Sequence, residues 1–124
     1  MQMDKKKVLV IDDEAFIREL VREFFELLGI KCEEAENWEI ALKKLSEENY
    51  HLILLDRNLG DLKAETFIPR IKETSPDIPV VILTGDPQCD KKYLERIGAA
   101  GIIFKPFDVA EFKKVIAKFL ENEH

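Results

Sequence analysis

The sequence predicts an α/β fold, a doubly wound, five-stranded parallel sheet built from five β–α units. Two observations lead there. Short apolar runs without polar alternation recur along the chain, as strands covered on both faces require. Between them lie segments whose apolar residues recur at helical spacing, and regular alternation of this kind gives parallel strands with right-handed crossovers.

The clear strand runs are residues 8–11 (Val-Leu-Val-Ile), 52–55 (Leu-Ile-Leu-Leu), 80–83 (Val-Val-Ile-Leu) and 102–104 (Ile-Ile-Phe). A weaker strand is expected over residues 30–34, where Lys31, Glu33 and Glu34 suit a sheet edge. The first helix carries Ile17, Leu20, Val21, Phe24 and Leu28 and stops at Gly29. Asn37 is the expected N-cap of a second, with Trp38, Ala41, Leu42 and Leu45 on its apolar side. Phe67, Ile68 and Ile71 mark a third that ends before Pro76. A fourth is expected to start near Asp86-Pro87, with proline in its first turn, and to stop at Gly98. The last begins at Asp108, with Glu111 placed to close a capping box, and carries Phe112, Val115, Ile116, Phe119 and Leu120.

Residues 1–124 are therefore expected to form a single domain, large enough to bury roughly two-thirds of the unfolded surface. A composition of 46% hydrophobic and 35% charged residues fits a globular chain and excludes disordered and fibrous classes. No apolar run approaches the ~20 residues of a spanning helix, and the N-terminal run is too short for a signal peptide. A cytoplasmic location is the default expectation. Net charge is −6, which disfavours nonspecific binding to nucleic acid or anionic lipid. Cys32 and Cys89 lack metal-ligand spacing and read as reduced thiols, and His51 and His124 read as surface residues.

Chemistry collects where the apolar runs end. The first is followed by Asp12-Asp13, the run at 52–55 by Asp56, the run at 80–83 by Thr84, and the last by Lys105. Ligands of open parallel sheets bind outside the carboxyl ends of the strands, so this placement gathers three carboxylates, a hydroxyl and an ammonium into one cleft. Two carboxylates 4 Å apart repel by about 1–4 kcal/mol, so either a pKa rises or a cation binds. A hard divalent cation such as Mg²⁺ suits an all-oxygen set without His or Cys. A carboxylate beside such an ion and a lysine is equipped to accept a phosphoryl group, because that transfer needs in-line positioning and charge neutralisation.

Taken singly, each residue has a plainer reading. Asp12 or Asp13 could cap a helix, Asp56 could sit in a loop, Thr84 could close a turn, and Lys105 could be a solvated charge. Four such coincidences, each at a strand end, are a poorer account than one site.

The stretches Val8-Leu-Val-Ile-Asp-Asp-Glu14, Leu52-Ile-Leu-Leu-Asp56, Pro79-Val-Val-Ile-Leu-Thr-Gly85 and Gly98-Ala-Ala-Gly-Ile-Ile-Phe-Lys-Pro-Phe107 closely resemble the receiver domain of two-component response regulators, chemotaxis regulators among them. Each motif is weak alone, but the ordered set is specific and spans nearly the whole chain. The resemblance implies a flavodoxin-like sheet of order 2-1-3-4-5. It implies that Asp56 is the phosphoacceptor, that Asp13, Asp56 and the Asn58 backbone carbonyl ligate Mg²⁺, and that Asp12 acts largely through water. Thr84 and Lys105 would contact the phosphoryl group, and Lys105–Pro106 would be a cis peptide. The implied partners are a sensor histidine kinase or histidine phosphotransfer protein as donor, and a downstream protein on the face of the fourth helix, fifth strand and fifth helix.

Two departures and two tuning positions stand out. Gly60 replaces the family's usual proline after the acceptor, which implies a more mobile loop. Ile102 stands where the family usually carries a Tyr or Phe that rotates on activation, so the switch needs another readout. Asn58 and Asp86 occupy positions whose side chains influence how readily water attacks the acyl phosphate, and this pair implies a transient phosphoryl group.

Other readings fit less well. A haloacid-dehalogenase-type phosphatase carries Asp-x-Asp after its first strand, whereas Asp12 and Asp13 are adjacent and no late acidic pair follows Lys105. A flavin carrier needs a hydroxyl- and glycine-rich phosphate loop where this chain has Asp12-Asp13-Glu14. A degenerate receiver that binds partners without phosphorylation is the alternative suggested by Ile102, and the intact acidic cluster argues against it.

Overall fold

The apolar runs do pair in parallel. The computed structural model describes residues 6–120, so the readings for His124 and the first five residues lie outside it. The elements are β1 (Lys7–Ile11), α1 (Ala15–Leu27), β2 (Lys31–Ala35), α2 (Trp38–Glu47), β3 (Leu52–Asp56), β4 (Asn58–Leu59), β5 (Leu62–Lys63), α3 (Ala64–Thr74), β6 (Val80–Thr84), α4 (Lys91–Ile97), β7 (Gly101–Phe104) and α5 (Val109–Leu120). The main sheet is wholly parallel in the order β2-β1-β3-β6-β7. With the small β4–β5 hairpin set aside, this is the expected flavodoxin-like order 2-1-3-4-5. The fully buried strands β3 and β6 lie inside, and the polar β2 lies at an edge.

Alternate strand residues feed two cores. Leu9, Ile11, Ile53, Leu55, Val80 and Ile82 meet Ala41 and Leu45 of α2 and Phe67, Ile68 and Ile71 of α3, with Leu94 and Ile97 of α4 at the margin. Val8, Val10, Leu52, Leu54, Val81 and Leu83 meet Ile17, Val21 and Phe25 of α1 and Phe112, Ile116 and Leu120 of α5. On α1, Ile17 and Val21 are buried and Leu20 and Phe24 pack at the margin as read, but the reading left out the residue buried deepest near the helix's end. Phe25 is fully buried, while Phe24 packs from the margin with its ring edge-on to Phe112 at 5.2 Å. No helix among the described residues is long and apolar enough to cross a membrane.

The capping signals act as read. The Asn37 side chain accepts the Ile40 backbone N–H at 2.9 Å, and Asp108 and Glu111 bond each other's backbone N–H in a closed capping box. Asn37→Ala is expected to lower stability by about 1 kcal/mol, read as a shift in urea midpoint at constant slope.

Two loops differ from expectation. The fourth helix starts at Lys91 with Asp90 as its cap, not near Asp86-Pro87. The Cys89 N–H bonds the Asp86 carbonyl and the Gln88 N–H bonds the Asp86 side chain, so these residues close a turn and the helix begins anew. After the acceptor strand, the chain forms a hairpin pairing Asn58 with Lys63 and Leu59 with Leu62. Gly60 has φ +63, and no non-glycine residue among the described residues has positive φ, which matches a two-residue turn with glycine in its first central position. Glycine here serves a defined turn. His51 is exposed as expected, and its Nδ1 accepts the Lys7 backbone N–H at 3.0 Å.

Candidate functional site

The sheet delivers its strand ends to one edge. Asp12 follows β1 directly, and its N–H is tied to the Ala35 carbonyl at the end of β2. Asp56 closes β3 and pairs in register with Leu83, one residue before Thr84 on β6. Thr84 pairs in turn with Phe104, one residue before Lys105. Asp12, Asp56 and Thr84 are buried polar residues in an otherwise apolar interior. Burial without a partner would be costly, and all three have one.

Lys105 is the central partner. Its Nζ lies 2.9 Å from Asp12 Oδ2, 3.0 Å from Glu14 Oε1 and 3.6 Å from Asp56 Oδ1. Asp12 Oδ2 is wholly buried and has this ammonium as its only close counter-charge among the described residues, while Oδ1 accepts the Glu14 N–H. The Asn58 N–H reaches Asp56 Oδ1 at 3.3 Å, and the Gly60 N–H reaches Asp13 Oδ2 at 3.3 Å, so the hairpin braces the acidic cluster from above. Lys105–Pro106 is cis, as expected.

Charge is crowded here. Burial, then the neighbouring Asp12 charge, push the Asp56 carboxyl up to about 7, against the pull of Lys105 and the Asn58 N–H. Burial also raises Asp12, opposed by the Glu14 N–H and Lys105. Burial alone would lower Lys105, but its bonds to Asp12 and Glu14 outweigh it and hold the ammonium above the ordinary lysine range. One cation among four carboxylates leaves the cluster short of positive charge.

That deficit fits a metal ion. Asp12, Asp13 and Asp56 each offer an oxygen, and these oxygens lie within 4.8 Å of one another. The donors are all hard, Asp13 is exposed and gives the cluster a solvent-facing side, and a cation would relieve the pressure on Asp56. The residues fit Mg²⁺.

Comparison with known proteins decides the family. Residues 8–117 match the response regulator receiver domain. The chain belongs to that family. This receiver domain is 37% identical to the phosphate regulon transcriptional regulatory protein PhoB of Pseudomonas aeruginosa over 120 residues, covering 91% of the chain and 52% of PhoB. It is 30% identical to sporulation initiation phosphotransferase F of Bacillus subtilis, covering 95% of the chain and 96% of the relative. It thus spans about half of the one and nearly all of the other. Among solved structures, response regulator TrrA of Thermotoga maritima, in complex with Mg²⁺-BeF, is 32% identical at TM-score 0.81, covering 93% of this chain and 99% of that one. Chemotaxis protein CheY4 of Vibrio cholerae is 26% identical at TM-score 0.86, covering 94% and 100%. Receiver domains bind Mg²⁺, interact with histidine kinases or phosphotransfer proteins, and are generally not enzymes in the usual sense.

The receiver domain also uses residues that the sequence did not single out. Glu14 shares Lys105 with Asp12. Arg18 donates from its guanidinium to the Asp12 carbonyl at 2.8 Å and fixes the start of the acidic loop. Arg57, directly after the acceptor candidate, binds Asp86 at 2.6 Å and lies over the Tyr93 ring. The Gln88 N–H, and then Arg57, hold the Asp86 carboxyl below its ordinary range. Asp86 is thus committed to Arg57, and Asn58 is exposed at the hairpin.

Proposed function

We propose that this receiver domain accepts a phosphoryl group on Asp56 from a phosphohistidine of a sensor kinase or phosphotransfer protein, in a Mg²⁺-dependent step, and thereby switches a protein-binding surface. The observation that carries the reading is Lys105 Nζ placed 3.6 Å from Asp56 within a cluster of three carboxylates. A lysine-braced carboxylate inside an acidic cluster suited to a metal ion has few other uses at a sheet edge.

The Asp56 oxygen would form the new P–O bond as the bond to the donor's imidazole nitrogen breaks, giving an acyl phosphate. Mg²⁺, held by Asp13, Asp56 and the Asn58 carbonyl with Asp12 acting through water, would neutralise charge on the phosphoryl oxygens. Lys105 would turn from Glu14 to a phosphoryl oxygen, a short step because Glu14 is exposed. Thr84 accepts the Asp86 N–H at 3.0 Å and so keeps its own proton to donate to another phosphoryl oxygen. No separate substrate is turned over. The chemistry is self-phosphorylation followed by hydrolysis, in which water carries the phosphoryl group off as inorganic phosphate and restores the carboxylate, with the cytoplasm as its setting.

The downstream surface would be the face of α4, β7 and α5, where Phe104 is exposed beside Ile102, Pro106 and Val115, and Val109 is exposed at the start of α5. Incubation with Mg²⁺ and a small acyl phosphate is expected to add one phosphoryl group in intact mass, and none when Mg²⁺ is chelated. Unmodified protein with both the small donor and a phosphorylated kinase would refute the reading and favour a phosphorylation-independent binding module.

A further inference from the structure

The readout expected of an aromatic ring at position 102 has no means here. Ile102 is a hydrocarbon, and its register partner is Ile82, two residues short of Thr84. A different path leaves the acceptor. The Arg57 backbone is fixed on both sides, its N–H bonding the Leu83 carbonyl at 2.9 Å and its carbonyl accepting the Ala64 N–H at 2.8 Å. From that anchored position its guanidinium holds Asp86 at 2.6 Å, lies 4.8 Å from the Tyr93 ring centre, and donates from Nε to the Tyr93 hydroxyl at 3.3 Å. The Tyr93 hydroxyl donates onward to Glu65 of α3 at 3.0 Å. Arg96 covers the same ring at 5.3 Å. Tyr93 belongs to the first turn of α4, and its N–H is the one capped by Asp90.

Beside its turn bonds to Gln88 and Cys89, Asp86 therefore joins Thr84 to Arg57. Its backbone N–H bonds the Thr84 hydroxyl, and its carboxylate bonds Arg57. Any movement of Thr84 toward a group on Asp56 pulls on Asp86, and Asp86 can follow only by straining or releasing Arg57. Release would free the guanidinium from Asp86 and change what lies over Tyr93. A packed aromatic with a hydrogen-bonded hydroxyl has discrete arrangements, not a continuum, and so suits a switch.

We propose that Arg57, Asp86 and Tyr93 form the relay by which events at Asp56 and Thr84 reach α4 in this chain. The proposal rests on Asp56 being the acceptor, and it deepens that reading by naming how the site regulates its surface. Arg57 is a positioning residue in this scheme. It transmits and does not react.

The test separates uptake from response. Wild type, Arg57→Gln and Tyr93→Phe are incubated with Mg²⁺ and acetyl phosphate, and intact mass is read alongside amide hydrogen exchange across residues 91–97. Tyr93→Phe keeps the ring and the packing, so it guards against a folding defect in the arginine variant. All three proteins are expected to take one phosphoryl group. Wild type is expected to change exchange across α4 on phosphorylation, and both variants to lose that change by about fivefold or more. Full uptake with a wild-type α4 response in both variants overturns the relay and leaves the acceptor reading intact. No added mass in wild type, from acetyl phosphate or from a phosphorylated kinase, overturns the acceptor reading and the relay with it.

Discussion

Asp56→Asn is expected to make the metal-free protein more stable above neutral pH, even as it abolishes phosphoryl uptake. The cause is the crowding of buried carboxylates, which raises the Asp56 carboxyl from 3.8 to about 7. A group whose folded pKa lies above its unfolded value keeps its full contribution below the unfolded pKa and loses it as pH rises through the folded one. Between about pH 4 and 7, the native state holds a proton that the unfolded chain releases, so stability falls across that window. An amide at position 56 has no charge to bury. The gain should be near zero at pH 4 and reach about 1–3 kcal/mol by pH 8, measured by urea unfolding with a chelator present. Mg²⁺ should act the opposite way on wild type. It competes with the proton for the same oxygens, so its stabilisation should be strong at pH 8 and weak at pH 5, and much reduced in the variant. A metal-free Asp56→Asn protein that is less stable than wild type at pH 8 would contradict the charge-crowding account.

Lys105→Met should have the larger cost. The substitution keeps most of the side chain's length and apolar stem but removes the charge 2.9 Å from Asp12 Oδ2, an atom that is wholly buried. Breaking a buried pair from one side leaves an uncompensated charge, and the loss is about 3 kcal/mol at neutral pH. Protonation of Asp12 would relieve it, so the deficit should shrink as pH falls. Phosphoryl uptake should drop by about 10²-fold or more, since a positioned donor to the transferring group is lost. Combining Lys105→Met with Asp12→Asn should restore much of the stability and little of the uptake. That split separates the structural role of Lys105 from its role toward the phosphoryl group.

The sheet was legible because its strands announce themselves. Leu52 to Leu55 and Val80 to Leu83 are apolar throughout, as a short strand covered on both faces requires. The acidic cluster was legible for the same reason, since strand ends share an edge. The start of α4 was not. Asp86-Pro87 carries the local signs of a helix N-terminus, but Arg57 and the Gln88 N–H claim the Asp86 carboxylate, and Asp90 offers the better cap. The β4–β5 hairpin was readable in principle from Gly60-Asp61 between Leu59 and Leu62, a two-residue turn signature masked by expecting a loop. Glu14, Arg57 and Tyr93 had no local sign at all. Their partners lie 91 residues away at Lys105, and 29 and 36 residues apart across the Arg57 bonds, distances at which no periodicity operates.

The most direct test of the central claim is to locate the phosphoryl group. Wild type, Asp56→Asn and Asp13→Asn would be treated with Mg²⁺ and a small acyl phosphate, trapped, cleaved and mapped by peptide mass. The account predicts one modified residue, Asp56, in wild type, none in Asp56→Asn, and sharply reduced modification at higher Mg²⁺ demand in Asp13→Asn. Modification at another residue, or undiminished modification of Asp56→Asn, would contradict it.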